Sequence, residues 1–117
     1  MDKIVLSNYG IDYESAVERF MGNHKLYEKL LSEFVYENDF SKAAKALEIG
    51  KYDEAYSYIH TMKGITGNLS MVSLYENCCK MVELLVKKEY KKVSETFEIL
   101  MSSYEEACRG IKKASED

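Results

Sequence analysis

The residues of this chain best able to do chemistry lie in and just before the run Tyr58-Ile59-His60-Thr61-Met62-Lys63-Gly64-Ile65-Thr66-Gly67-Asn68-Leu69. A free imidazole, with its ordinary pKa of ~6.5, is largely neutral at pH 7, and its unprotonated nitrogen is a nucleophile that needs no added base. Successive helical residues stand about 100° apart, so on a helix His60 lies beside the apolar stripe of Ile59 and Met62, not in it. Lys63 and Gly64 follow one turn later on the face of His60. Tyr56 and Ser57 stand one turn before it, and Gly67 comes one turn beyond Gly64. An ammonium at Lys63 suits a phosphoryl group carried on the imidazole, because it offsets the charge of the phosphoryl oxygens. Each glycine in a helix interior costs about 1 kcal/mol relative to alanine. Two of them past a histidine point to a surface kept bare for a partner. Taken singly, a helical histidine is usually an ordinary surface residue and a glycine a packing device. It is the combination His-x-x-Lys-Gly, with a second glycine, that favours chemistry.

Other candidates carry less. His24, in Asn23-His24-Lys25, reads as a solvated residue at a helix start and is assigned no role. Cys78, Cys79 and Cys108 are odd in number, two are adjacent, and they lack metal-ligand spacing, so neither a disulfide framework nor a zinc site is expected. Cys78 reads as a small core residue, and a reducing, cytoplasmic compartment follows. The net charge is −4 with both signs interspersed, and the densest basic run, Lys87-Lys88-Glu89-Tyr90-Lys91-Lys92, is interrupted. That run reads as a solvated connection, and nucleic acid is not an expected partner. No nucleotide-cradling loop of P-loop or kinase type is present, which disfavours an intrinsic kinase or hydrolase. The apolar part of Met1 to Ser7 is too short for a signal peptide, and no segment approaches a transmembrane length.

The elements that must position His60 are helical. The chain has 117 residues, 46% hydrophobic and 31% charged, with no proline, which suits one soluble all-α domain spanning residues 1–117. Leu26, Leu30, Leu31, Phe34 and Val35 form a stripe over His24 to Glu37. A shorter helix holds Ala43, Ala44, Ala46 and Leu47, started by Asn38-Asp39-Phe40-Ser41 and stopped by Gly50. From Tyr52 to Leu69 the stripe is Ala55, Ile59, Met62, Thr66 and Leu69. Leu74, Cys78, Met81 and Leu85 repeat its spacing, with Ser70 as the expected N-cap, and Val93, Phe97, Leu100, Tyr104, Ala107 and Ile111 repeat it again. Successive stripes joined by short links predict an antiparallel four-helix bundle. Tyr13 to Phe20 adds a short N-terminal helix ended by Met21-Gly22-Asn23, and Ile4-Val5-Leu6 is the one ambiguous strand candidate. A bundle of this size buries its own core, so a monomer is expected.

The run around His60 resembles the signature of histidine-containing phosphotransfer domains, roughly His-x-(Leu/Phe)-Lys-Gly-x-(Ser/Ala)-x-x-(Leu/Ile)-Gly-x-x-x-Leu. His60, Met62, Lys63, Gly64, Thr66, Leu69 and Leu74 stand in its register. Ala46 to Tyr52 resembles the turn before the active helix, and Gly10-Ile11-Asp12, Phe20 to Asn23 and Leu26-Tyr27 resemble the family's N-terminal approach. The resemblance implies phosphorylation at Nε2 of His60, with Lys63 steadying the phosphoryl group and Gly64 giving a partner room. It implies no cofactor and no metal of its own, since the Mg²⁺ sits in the partner's aspartate pocket. The implied partners are the receiver domain of a response regulator and a sensor or hybrid histidine kinase. Tyr56, Ser57 and Gly67 complete the expected partner surface.

Two positions depart from the family pattern. Ser70 stands where a glycine is usual, and Val82 stands where many members carry a Gln or Glu hydrogen-bonded to the second nitrogen of the active histidine. Valine accepts no hydrogen bond, and Glu83 lies about 100° around the helix. A degenerate module that binds receivers or kinases without being phosphorylated is therefore the alternative function. An unrelated structural bundle, in which the His-Lys-Gly face is coincidence, is the third.

Overall fold

The computed structural model describes residues 1–116. Among them the chain forms α1 (Lys3–Asn8), α2 (Tyr13–Arg19), α3 (His24–Phe34), α4 (Asp39–Glu48), α5 (Tyr52–Asn68), α6 (Val72–Val86) and α7 (Val93–Ala114), with a short 3-10 turn at Tyr90–Lys92. The fold is all-α. Ile4-Val5-Leu6, the strand candidate, is helical instead, because the Asp2 carboxylate accepts hydrogen bonds from the backbone N–H groups of Ile4 (3.0 Å) and Val5 (3.2 Å) and so caps α1.

Helix α5 packs between α4 and α6, α6 packs on α7, and α1 and α3 lie against α7. The core runs through all seven helices, from Leu6 to Ala114. Ile59 and Met62 are completely buried. Burial of each side chain contributes about 2 kcal/mol, and this fixes the rotation of α5 about its axis. His60, one residue round from Ile59, is thereby turned to solvent.

Long-range hydrogen bonds set how the N-terminal helices sit. The Tyr27 hydroxyl, on α3, donates to the carbonyl of Leu69 at the end of α5 (2.7 Å). The segment between α1 and α2 pairs antiparallel with the α5–α6 link through Ile11 and Met71, with Asp12 N–H donating to Ser70 O (2.9 Å) and Val72 N–H to Gly10 O (2.8 Å). The expected helix over His24 to Glu37 ends earlier, at Phe34. The Tyr104 hydroxyl of α7 reaches back to the Glu37 carbonyl (3.1 Å), on the turn after that helix.

Ser70 does not cap α6. Leu69 closes α5, and Ser70 follows with φ at 54°, in the left-handed region. Its N–H donates to Gly67 O (3.2 Å) while Met71 N–H donates to Thr66 O (3.0 Å), the paired closure of a helix C-terminus. The residue preceding α6 is Met71, with no side-chain cap. Serine is thus placed at a backbone geometry that favours glycine, the residue the family pattern carries there.

Candidate functional site

The exposed edge of α5 forms one wall of an open groove of about 720 Å³. His60, Lys63, Gly64 and Gly67 line it from α5, Tyr75 and Glu76 from α6, and Ser15 and Arg19 from α2. Four of the six residues singled out from sequence therefore meet in one place. The other two lie on the far side of His60. The Tyr56 ring packs beside the imidazole, with centroids 5.5 Å apart and planes tilted by 34°. Ser57 is exposed and its hydroxyl donates back to the Asp53 carbonyl (3.3 Å), so it presents no groove contact.

The two glycines differ. A β-carbon built on Gly64 would meet nothing within 4 Å, whereas one on Gly67 would lie 3.0 Å from the Tyr75 ring. Gly64 leaves the surface beside His60 bare, and Gly67 makes room for Tyr75. Thr66, between them, is buried, and its hydroxyl donates to the Lys63 carbonyl (3.2 Å), which anchors the turn carrying the lysine.

Charge in the groove is unbalanced towards the positive. Among the described residues neither Lys63 nor Arg19 enters an ion pair, and the one lining carboxylate is that of Glu76. Arg19 is held in place, since its guanidinium Nη2 donates to the hydroxyl of buried Ser70. Ser70 in turn lies 3.4 Å from the Ser15 hydroxyl. Nothing in the sequence linked Arg19, Ser15, Tyr75 or Glu76 to His60, because the placement of α2 and α6 against α5 is a tertiary matter.

Val82 is half-buried and packs against the core. Glu83 beside it is exposed and pairs with Lys87 of its own helix (2.7 Å), a contact that holds its carboxyl below the usual range. Among the described residues the hydrogen-bonded imidazole is that of His24, not His60: its Nδ1 lies 3.1 Å from the Tyr13 hydroxyl. Tyr13 also donates to Glu28 (2.6 Å), so His24 belongs to a structural cluster joining α2 and α3.

The cysteines are free, and Cys78 is buried. Burial pushes its thiol up to about 12, leaving it protonated and inert at neutral pH. Among the described residues no group of three or more His, Cys, Asp or Glu side chains could hold a metal ion, and no helix is long and apolar enough to cross a membrane. No protein-family model, curated protein or solved structure matches the chain.

Proposed function

We propose that this protein is a histidine phosphotransfer module of a phosphorelay, which accepts a phosphoryl group on His60 from a receiver aspartate or a kinase and passes it to a receiver domain. The observation that carries the reading is the bare surface at Gly64 beside exposed His60, in a groove that also holds the unpaired Lys63. A nucleophile on an open helix face is useful when the rest of the active site arrives on another protein.

In the forward step, Nε2 of neutral His60 attacks the phosphorus of a receiver aspartyl phosphate. The bond from phosphorus to the carboxylate oxygen breaks, the carboxylate leaves with the electron pair, and the Nδ1 proton passes to solvent. Lys63 offsets the oxygen charge while the group is transferred. The Mg²⁺ that assists belongs to the receiver. The reverse sequence hands the group on. The neighbouring packing of α4, α5, α6 and α7 supports a four-helix bundle as the scaffold, with α1 to α3 as the N-terminal addition. The free cysteines fit a reducing, cytoplasmic compartment, and a bundle that buries its own core fits a monomer.

A second reading, docking without phosphorylation, is favoured by one observation: Val82 is half-buried against the core and, as an aliphatic side chain, offers His60 no hydrogen bond. Transfer of labelled phosphate from phosphorylated receivers separates the two. The proposal expects acid-labile, alkali-stable label on the wild type and none on His60→Gln. Receiver binding with no label on either protein selects the docking module.

A further inference from the structure

We infer that Arg19 is a specificity-determining contact for the docked receiver, pairing with a carboxylate on the rim of the receiver's aspartate pocket. This rests on the phosphotransfer reading of the groove. The chain carries a net charge of −4, yet its groove presents two cations, Arg19 and Lys63, against the single carboxylate of Glu76. Neither cation is neutralised within the described residues. The groove is therefore complementary to an acidic surface and adverse to a basic one.

Arg19 is also prepared for the role. It ends α2, and its guanidinium is fixed by the hydroxyl of Ser70, so less side-chain freedom is lost when a carboxylate arrives. A guanidinium donates in a planar fork, and one bond to Ser70 leaves further N–H groups of exposed Arg19 for a bidentate partner. Ser70 occupies a left-handed backbone position where glycine would be at ease. The hydroxyl that serine brings to this position is what places Arg19 in the groove. Asn68, the last residue of α5, is eight residues beyond His60, about 12 Å at 1.5 Å per helical residue, and Ser70 follows in the turn. A partner covering about 800 Å² spans that distance while engaging His60.

The experiment is a calorimetric titration of the full-length protein with a receiver domain that docks to the wild type. Arg19→Ala should weaken binding by about tenfold and flatten its dependence on salt concentration. Glu76→Gln should tighten binding, a shift in the opposite direction that damage to the fold does not produce. Equal affinities for the wild type and Arg19→Ala, or weaker binding by Glu76→Gln, overturn the assignment of Arg19 and leave the phosphotransfer reading standing. The reading itself is checked on the wild type with phosphoramidate, a small phosphodonor that needs no docking. No label on His60 and no docking by any receiver overturns both.

Discussion

The ring of Tyr75 lies over Gly67, close enough that a β-carbon on that glycine would stand 3.0 Å from it, while one turn earlier the surface of Gly64 is open. Two glycines on one helix face thus serve different ends, and alanine distinguishes them. Gly64→Ala should leave stability unchanged or raise it by up to about 1 kcal/mol, because alanine is the better helix former, and on the proposed function it should weaken receiver docking. Gly67→Ala should be less stable than Gly64→Ala by about 0.5–1 kcal/mol, since the Tyr75 ring must shift. Chemical denaturation of the two variants, repeated with Tyr75→Ala, checks the cause: the gap should close once the ring is gone.

Ser70 tests the backbone. Both Ser70→Gly and Ser70→Ala lose the hydroxyl that holds Arg19, but only glycine relieves the left-handed φ of 54°. The glycine variant should exceed the alanine variant in stability by about 1 kcal/mol, read from urea midpoints. Equal midpoints would mean that the position carries no strain.

Tyr27→Phe removes the hydroxyl that donates to the Leu69 carbonyl, at a site where the tyrosine is fully buried. The carbonyl is left without this partner, at a cost of about 1–3 kcal/mol. The same variant should loosen the end of α5, so faster hydrogen exchange at Leu69 to Met71 is the local signature to measure.

Stability should fall at both ends of the pH range. The Tyr13 hydroxyl, and after it the N-terminal ammonium, hold the Glu28 carboxyl below its ordinary value of 4.5 against the opposing effect of burial. A depressed carboxyl stabilises the fold above the unfolded value and loses that contribution as pH falls through the folded one. Burial first, and then Glu28, push the Tyr13 phenol from 10.0 up to about 12. That contribution is complete below pH 10 and is lost as pH rises towards 12. The difference in thermal melts between Glu28→Gln and the wild type should shrink as pH falls below 4.5, and Tyr13→Phe should flatten the alkaline decline.

Val82→Gln introduces the side chain that the histidine phosphotransfer pattern carries at this position. On the proposed function, faster phosphotransfer than the wild type is expected, with a loss of about 1 kcal/mol in stability because an amide replaces packed methyl groups. Unchanged transfer would show that solvent serves that nitrogen equally well.

What the sequence determined by itself was local. Helix periodicity spaced Ile59 and Met62 for burial, and the fixed angle between neighbours then put His60, Lys63 and Gly64 on the outer face of one helix. Those relationships span four residues, and the chain's own geometry enforces them. The stop of α4 just before Gly50 was legible for the same reason, since a left-handed turn with φ of 74° suits glycine. The tertiary structure decided everything that depends on distant partners. Arg19 meets Ser70 across 51 positions, a pairing no local pattern encodes. That contact, and the paired backbone links from Ile11 to Met71, replaced the expected N-cap by a strained turn. Which glycine stays bare was likewise settled by where α6 sets Tyr75. Side chains from separate helices meet only once the core has fixed the angles between them, and those angles follow from packing the whole set of buried residues together.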